Sequence, residues 1–303
     1  STELKRLSQA YVDFVAEDVG PWKDVPAPDV NTNGQIMAWM VDRYQFLKAE
    51  QNQLSENPLA TFTGKPLELG GSKARTEATG LGGVMVLEKL IQEQGWKPAE
   101  TTIAVQGFGN VGYWFAKHAQ AKGYKVVALS DSSGAIYDSA GLNPEKVKEV
   151  KQEQGSVSDF EAKHLSNEEL LKLDVDVLVP AALENVIHQD NADQVKAKVV
   201  FEMANGPLTP EADEILTKNE VLIVPDILAN AGGVTTSYFE WAQNLQGYYW
   251  SKPEVVEKLR SMMEPAFDQF WTCLNQCEVN GRMSAYMMAV KKVVKAILVR
   301  GRV

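Results

Sequence analysis

Three glycines at fixed spacing constrain the fold of this chain more than any other feature. Gly107-Phe108-Gly109-Asn110-Val111-Gly112 directly follows an apolar, strand-like segment, Thr101 to Gln106, and directly precedes a helical segment, Tyr113 to Lys122. Tyr124 to Leu129 has the pattern of the next strand, and Asp131 follows it, 24 residues after the first glycine. A strand, a tight glycine turn, a helix, a second strand and an acidic residue, in this order, predict a βαβ unit.

Each glycine of this turn has its own physical role. Gly107 permits the tight turn, Gly109 lets a ligand approach the backbone, and Gly112 lets helix and strand pack closely. The helix N-terminus presents N–H groups and a positive dipole, which suit a pyrophosphate. The whole turn, Gly107, Phe108, Gly109, Asn110, Val111 and Gly112, is therefore predicted to bind a dinucleotide. The alternative, a glycine-rich turn without a ligand, is disfavoured by the complete strand-turn-helix context.

Asp131 bears on the choice of coenzyme. Its carboxylate is expected to accept hydrogen bonds from the adenosine ribose hydroxyls and to repel a 2′-phosphate, which favours NAD. No arginine directly follows it. The hydroxyls of Ser130, Ser132 and Ser133 would hydrogen-bond a 2′-phosphate if the carboxylate turned away, so NADP stays open as the alternative.

The central part of the chain alternates between strand and helix patterns. Further strand-like runs occur at residues 175–179, 198–202 and 221–224. Glu77 to Gln94 is predicted as a helix whose glycines allow another backbone to approach, and Ser166 with Glu169 predicts a capped helix start. Thr209 followed by Pro210 predicts another helix start. This alternation predicts an α/β fold, a Rossmann-like doubly wound parallel sheet covered by helices on both faces.

Composition limits the possible function classes. The chain has 30 basic and 40 acidic side chains, a formal net charge of −10, which argues against binding to nucleic acid. No apolar run reaches membrane-spanning length and no apolar leader is present, so a soluble, cytoplasmic protein without membrane contact is expected. Two cysteines and three histidines show neither a disulfide framework nor metal-ligand spacing, so no metal is expected. Cys273 and Cys277 are expected as small apolar fillers of a helical core.

A carboxylate that directly follows two closely spaced prolines is the first candidate for catalysis. Asp29 lies in Pro26-Ala27-Pro28-Asp29-Val30-Asn31-Thr32, where the prolines stiffen the loop. A carboxylate held in a fixed pose beside a cofactor can transfer protons. Asp and Asn also cap helices well, and from the residues alone a cap of the following helix by Asp29 or Asn31 is the favoured interpretation.

A second candidate segment follows the strand at residues 221–224. Asn230-Ala231-Gly232-Gly233-Val234-Thr235-Thr236-Ser237 would lie at the carboxyl edge of the sheet, where ligands bind in such folds. Asn230 suits a carboxamide because its side chain both donates and accepts, and Ser237 can donate to an anion. A glycine-rich connection from strand to helix, without a ligand, explains the same composition equally well.

Several separated segments share the residues and the order of one enzyme family. They are Val25 to Thr32, Gly70-Gly71-Ser72 with Arg75 to Gly80, Gly107 to Gly112, Pro180-Ala181-Ala182-Leu183-Glu184-Asn185, Ala204-Asn205-Gly206-Pro207, Asn230 to Val234, and Ser237-Tyr238-Phe239-Glu240-Trp241. Together they resemble the glutamate dehydrogenase branch of the glutamate/leucine/phenylalanine/valine dehydrogenase family. Chance agreement over so many segments, spread along almost the whole chain, is not credible.

The resemblance implies oxidative deamination of L-glutamate to 2-oxoglutarate and ammonia with NAD(P), by a homo-oligomer. Asp29 would be the catalytic acid/base residue. The implied substrate-binding residues are Ala27, Val234 and Ser237. Ala27 would contact the substrate through its backbone carbonyl, and Ser237 would bind the side-chain carboxylate of glutamate. Besides the glycine turn and Asp131, the implied cofactor-binding residues are Arg75, Thr79, Ala181, Ala182, Asn205 and Asn230. Of these, Thr79 and Asn230 would hold the nicotinamide carboxamide, and Arg75 carries no specific role.

One departure from the family pattern concerns lysines. Family members carry a glycine-rich stretch with substrate-binding and catalytic lysines upstream of the Asp29 segment, and nothing in residues 1–24 resembles it. The chain is therefore expected to be the cofactor part of such an enzyme, truncated and impaired in turnover. The expected domains are residues 1–60, a remnant of the substrate domain; 61–250, the Rossmann-like NAD(P)-binding domain, with residues 49–70 as a connection; and 251–303, helices packing back toward the substrate domain.

Two other functions stay open. One is a non-catalytic NAD-binding or regulatory module, which would retain the glycine turn without the catalytic lysines. The other is a leucine, phenylalanine or valine dehydrogenase. Ser237 argues against this second alternative, because a hydroxyl that binds a side-chain carboxylate suits glutamate.

Overall fold

A computed structural model describes residues 1–51 and 57–302. Its α-helices are α1 (Thr2–Val15), α2 (Gly34–Glu50), α3 (Ala78–Glu93), α4 (Asn110–Ala121), α5 (Pro144–Gln154), α6 (Asn167–Leu171), α7 (Pro210–Lys218), α8 (Asp226–Ala229), α9 (Gly232–Gln246), α10 (Lys252–Cys277) and α11 (Gly281–Val299). Its strands are β1 (Thr102–Gln106), β2 (Lys125–Asp131), β3 (Gly134–Tyr137), β4 (Lys163–Leu165), β5 (Val177–Pro180), β6 (Val199–Phe201) and β7 (Leu222–Val224).

The strands form one mixed sheet in the order β4-β3-β2-β1-β5-β6-β7. β1 is parallel to both β2 and β5, and β5, β6 and β7 continue the parallel part. The predicted α/β fold is confirmed, but the expectation of a wholly parallel sheet is wrong, because β3 and β4 are antiparallel. The reason is a tight turn in which Asp131 pairs with Gly134, so the chain returns beside β2 without a crossover helix.

The core of the sheet is apolar on both faces. Ile103, Ala104 and Val105 of β1 are fully buried, as expected for a central strand covered by helices on both sides. The glycines of α3 allow the close approach that the sequence predicted: a Cβ on Gly80 would lie 2.4 Å from the backbone nitrogen of Phe115. Side chains larger than hydrogen are therefore excluded where α3 meets α4.

Helix starts follow the predicted capping residues. Ser166 and Glu169 form a reciprocal capping box at α6. Thr209 caps α7, and Pro210 occupies its first turn. These starts were predictable because the cap side chain and the backbone N–H that donates to it lie within a few residues of each other.

Helix α10 carries both thiols. Cys273 and Cys277 are free, with Cys277 exposed and the two sulfurs 3.5 Å apart. The expectation that they fill an apolar core is wrong for Cys277, because residues 275–277 at the end of α10 are all exposed to solvent. Over the described part of the chain, no helix combines the length and apolar character needed to cross a membrane.

The chain divides into two compact units. The first comprises Ser1–Ala78 and Gly233–Leu259, and the second comprises Thr79–Gly232 and Arg260–Val303. These bounds differ from the expected 1–60, 61–250 and 251–303. Residues 57–70, expected as part of a connection, instead belong to the first unit, because residues in this stretch are hydrogen-bonded to α9. The expected connection also includes residues 52–56, which lie outside the described residues.

A buried ion pair joins residues 62–65 to α9 in the first unit. Lys65 Nζ lies 2.7 Å from Glu240 Oε1, and neither side chain is exposed. The backbone N–H groups of Gly64 and Lys65 donate to the same carboxylate at 2.9 and 3.2 Å. Burial lowers the pKa of Lys65, against the attraction of Glu240, which raises it. The carboxylate therefore collects three donors from one short segment.

The segment held by Glu240 supports the loop that carries Asp29. Thr63 N–H donates to the Pro26 carbonyl at 3.0 Å. Gly64 has φ +75°, and a Cβ there would lie 2.5 Å from the Pro28 ring, so only glycine fits. The two prolines thus rest on backbone that the ion pair fixes.

Replacing the cation of this pair should destabilise the fold. Lys65→Met is expected to lower the free energy of unfolding by about 3–5 kcal/mol, because it leaves a buried carboxylate without its counter-charge. Lys65→Met/Glu240→Leu should recover part of this loss, since it removes both charges. Urea unfolding monitored by circular dichroism measures each variant.

The matched control is Lys73→Met, at an exposed lysine of the same unit, which should stay within about 0.5 kcal/mol of wild type. An unfolding midpoint of Lys65→Met equal to that of Lys73→Met would contradict the importance of the pair.

Candidate functional site

The glycine turn leads into α4 as predicted. Gly109 is the N-cap of α4, and no side chain caps the helix there. Gly107 has φ +99°, and a Cβ on Gly112 would lie 1.9 Å from the Gly107 carbonyl oxygen. Around Gly109, by contrast, no atom lies within 4 Å of a Cβ position. A helix N-terminus that begins at a glycine beside open space fits the pyrophosphate of a dinucleotide.

Ala181 and Ala182 lie against this turn. Ala181 N–H donates to the Gln106 carbonyl at 2.7 Å, and a Cβ on Gly107 would lie 2.6 Å from the Cβ of Ala182. The structure therefore brings together two predicted segments that are distant in sequence. They meet at the carboxyl ends of β1 and β5, the edge where ligands bind in open α/β sheets.

Asp131 lies at the end of β2, and its side chain is only 8% exposed. Its Oδ2 lies 2.8 Å from Lys151 Nζ. The N–H groups of Val157 and Ser133 donate to the carboxylate at 3.0 and 2.9 Å. Burial alone would raise the pKa of Asp131, but the hydrogen bonds from Lys151, Val157 and Ser133 outweigh it and lower the pKa. The carboxylate is therefore ionised and already bound by donors of its own chain.

Asn205 and Asn230 are in contact. Asn230 Nδ2 donates to Asn205 Oδ1 at 2.7 Å, although the two residues follow different strands. Asp226 supports both sides of the pair: its Oδ2 accepts from Gly206 N–H at 2.8 Å, and its backbone carbonyl accepts from Asn230 N–H at 3.0 Å. Thr79 lies in the first turn of α3 and is half-buried.

An arginine from α11 neutralises the acidic residues beside this pair. Arg282 Nη2 lies 2.5 Å from Glu202 Oε1, and Arg282 Nε lies 2.5 Å from Asp213 Oδ2. Burial raises the pKa of Glu202, against the hydrogen bond from Arg282, which lowers it. Burial likewise opposes the charge of Arg282, but its carboxylate partners outweigh this and raise its pKa. Arg282 thus connects α11 to the segment after β6, which leads to Asn205, and to α7.

Asp29 is exposed and lies in a turn that closes on itself. Its N–H donates to Thr32 Oγ1 at 2.6 Å, and Val30 N–H donates to Asp29 Oδ1 at 2.7 Å. Among the described residues, no group donates a hydrogen bond to Oδ2. The N-cap of α2 is Asn33, so the interpretation of Asp29 or Asn31 as the cap is wrong. The turn leaves Asp29 with one fixed and one open carboxylate oxygen.

Arg75 and Ser237 are in contact within the first unit. Arg75 Nε donates to Ser237 Oγ at 3.1 Å, and Ser237 is 8% exposed. Burial lowers the pKa of Arg75, against the attraction of Glu240, which raises it; a guanidinium nevertheless stays charged. Val234, 70% exposed, lies one helical turn before Ser237 on α9. The exposed Ala27 lies in the proline loop before Asp29.

The structure adds three basic residues that sequence reasoning missed, Lys65, Lys151 and Arg282. Each binds a carboxylate that is distant in sequence, so no local spacing indicated the contact. The only sequence signal was a charged residue among apolar neighbours. Glu240, the partner of Lys65, is such a residue, because it lies between Phe239 and Trp241.

Two family models match this chain. The model described as Glutamate/Leucine/Phenylalanine/Valine dehydrogenase matches residues 70–301. The model described as Glu/Leu/Phe/Val dehydrogenase, dimerisation domain, matches residues 1–46. The matches cover both the glycine turn and the segment that contains Asn33 and the start of α2.

Curated relatives are similar over nearly the whole chain. The chain is 48% identical over 301 residues to a glutamate dehydrogenase of Thermotoga maritima, covering 99% of this chain and 71% of that protein. It is 45% identical over 299 residues to an NAD-specific glutamate dehydrogenase of Staphylococcus aureus, with the same coverage of each chain.

Solved structures agree with these relatives. The crystal structure of glutamate dehydrogenase from Peptoniphilus asaccharolyticus is 39% identical, with a TM-score of 0.83, over 100% of this chain and 71% of that chain. The hetero-hexameric glutamate dehydrogenase from Thermus thermophilus is 35% identical, with a TM-score of 0.90, over 99% and 70% of the two chains. The chain belongs to the glutamate/leucine/phenylalanine/valine dehydrogenase family.

Proposed function

We propose that this chain acts in the NAD-dependent oxidative deamination of L-glutamate to 2-oxoglutarate and ammonia, as the coenzyme-binding part of a glutamate dehydrogenase. The observation that carries the proposal is the N-terminus of α4, which begins at Gly109 without a side-chain cap and beside open space. The substrate is supported by the contact of Arg75 with Ser237 and by relatives named glutamate dehydrogenase, one of them NAD-specific.

The coenzyme, when bound, accepts a hydride from the α-carbon of the substrate. The glycine turn and the start of α4 would bind its pyrophosphate. Ala181 and Ala182, which lie against Gly107, would line the adjoining part of the site. The paired amides of Asn205 and Asn230, with Thr79, would hold the nicotinamide side.

Ser237 is arranged to donate to an anion. Its oxygen accepts the hydrogen bond of Arg75, so its own hydroxyl proton is available for another acceptor. The side-chain carboxylate of glutamate fits this donor, and the adjacent guanidinium adds positive charge. We therefore assign Arg75 to the substrate side, instead of the coenzyme side that sequence reasoning gave it, and we keep Val234 beside Ser237 in that role.

Asp29 is suited to proton transfer in the steps that form and hydrolyse the imine. Val30 N–H fixes one carboxylate oxygen, while the other is open to accept a proton from the substrate nitrogen or from water. The Ala27 carbonyl, in the same stiff loop, would accept a hydrogen bond from the substrate ammonium group.

Assembly and location belong to the same proposal. Residues 1–46 match a dimerisation domain, which supports a homo-oligomer. Both cysteines are free thiols, which fits a reducing compartment such as the cytoplasm.

Adding one methyl group at Gly109 should weaken coenzyme binding without altering the fold. Gly109→Ala is expected to fold normally, because its Cβ meets no atom within 4 Å, yet to weaken NADH binding about tenfold or more by filling the approach to the backbone. Fluorescence titration with NADH measures the affinity, and thermal unfolding checks the fold. Ser139→Ala, on an exposed loop, is the control; unchanged NADH affinity in Gly109→Ala would refute pyrophosphate binding at this turn.

Asp29→Asn should remove proton transfer without altering the loop, because asparagine retains the oxygen that accepts from Val30 N–H. Glutamate turnover is expected to fall about 100-fold or more, with NADH affinity unchanged. The assay uses a form of the protein that turns over glutamate measurably. Asp24→Asn, at an exposed neighbour, should keep full activity, and equal activity in both variants would exclude Asp29 as the acid/base residue.

These 303 residues should bind NADH but turn over glutamate slowly or not at all. The reason is that residues 1–24 contain nothing like the lysine stretch of the family, and loss of preorganised charge costs orders of magnitude in rate. NADH formation from glutamate and NAD is followed by absorbance. Fast turnover would show that other cations of this chain replace those lysines.

A further inference from the structure

Lys151 joins two elements of the coenzyme site. Its Nζ lies 2.8 Å from Asp131 Oδ2 at the end of β2 and donates to the Phe108 carbonyl in the glycine turn at 3.3 Å. Lys151 lies on the last turn of α5, a helix outside the βαβ unit that contains the turn. One ammonium group therefore connects both elements through the neighbouring helix.

The Asp131 carboxylate is saturated by its own chain. Oδ1 accepts from Ser133 N–H at 2.9 Å and from Ser156 Oγ at 3.3 Å. Oδ2 accepts from Val157 N–H at 3.0 Å and binds Lys151. In dinucleotide-binding folds this carboxylate usually accepts from the ribose 2′-hydroxyl, and its charge disfavours a 2′-phosphate. Here its acceptor sites are occupied and its charge is paired, so both effects are weakened.

The second contact of Lys151 orients the glycine turn. The Phe108 carbonyl and the Gly109 N–H belong to the same trans peptide unit, in which C=O and N–H point in opposite directions. A carbonyl held toward Lys151 therefore aims the Gly109 N–H away from α5. The ring of Phe108 packs edge-on against Tyr113, with centroids 5.8 Å apart, and fixes the same residue from its other end.

We propose that Lys151 is a positioning and specificity-determining residue of the coenzyme site. It orients the glycine turn for the pyrophosphate, and it neutralises Asp131 so that the site admits NADP as well as NAD. This inference rests on the proposed coenzyme-binding function and deepens it. The selectivity between the two coenzymes then depends on α5, although the acidic residue itself lies at the end of β2.

Two substitutions separate the two roles of Lys151. Lys151→Gln keeps a donor for the Phe108 carbonyl but loses the charge, so NADH affinity should stay within about threefold while NADPH affinity falls about tenfold. Lys151→Met loses both the hydrogen-bond donor and the charge, so NADH affinity should fall about tenfold and NADPH affinity should fall further. Fluorescence titrations with NADH and with NADPH at one fixed salt concentration give both dissociation constants, and thermal unfolding checks the fold of each variant.

A charge-neutral double variant and a surface control complete the test. Asp131→Asn/Lys151→Met leaves no charge at this position, so its ratio of NADPH to NADH affinity should return to the wild-type ratio. Lys146→Met, at an exposed lysine of α5, should match wild type for both coenzymes.

The possible failures are distinguishable. Absence of NADH binding by the wild-type chain would overturn the proposed function, and this inference with it. If wild type binds NADH, an equal loss of NADH and NADPH affinity in Lys151→Gln and Lys151→Met would reduce Lys151 to a structural residue. Unchanged affinities in both variants would likewise overturn the inference, and would leave the proposed function intact.

Discussion

The substrate side of this molecule depends on one buried carboxylate. Glu240 accepts from the Lys65 ammonium and from two backbone N–H groups of the same segment. Ser237 lies one helical turn before Glu240 on α9, and the proline loop with Asp29 rests on the segment that Glu240 holds. The proposed anion-binding hydroxyl and the proposed acid/base carboxylate therefore share one support. An ion pair with no exposed surface keeps that support rigid, since separating its charges in the protein interior is costly.

The coenzyme side depends on the topology of the sheet. β1 lies between β2 and β5, so the connections after these strands diverge to opposite sides and leave a crevice at their carboxyl ends. The glycine turn and the Ala181–Ala182 pair both lie at this edge. Asn205 follows β6 and Asn230 follows α8, and Arg282 balances the nearby carboxylates of Glu202 and Asp213. Local charge pairing thus holds loops that the parallel strands bring together.

Features determined by contiguous residues were predictable from the sequence. The glycine turn, the caps of α6 and α7, and the strands β1, β2, β5, β6 and β7 belong to this class. Sequence reasoning failed where a competing local contact or a distant partner decided the outcome. Thr32 closes a turn on Asp29, so Asn33 caps α2 instead. Lys151 forms an ion pair with Asp131, and Arg75 contacts Ser237, because tertiary packing brings together residues that are not at a recognisable spacing in the sequence.

The antiparallel hairpin that sequence reasoning missed affects how the sheet ends. It places β4 at one margin of the sheet and leaves β7 at the other, and each of these strands has three residues. Unpaired N–H and C=O groups on an outer strand invite pairing with a second chain, and short outer strands offer few of them. Both margins are thus poor templates for cross-β stacking, which protects the sheet against amyloid-like self-association.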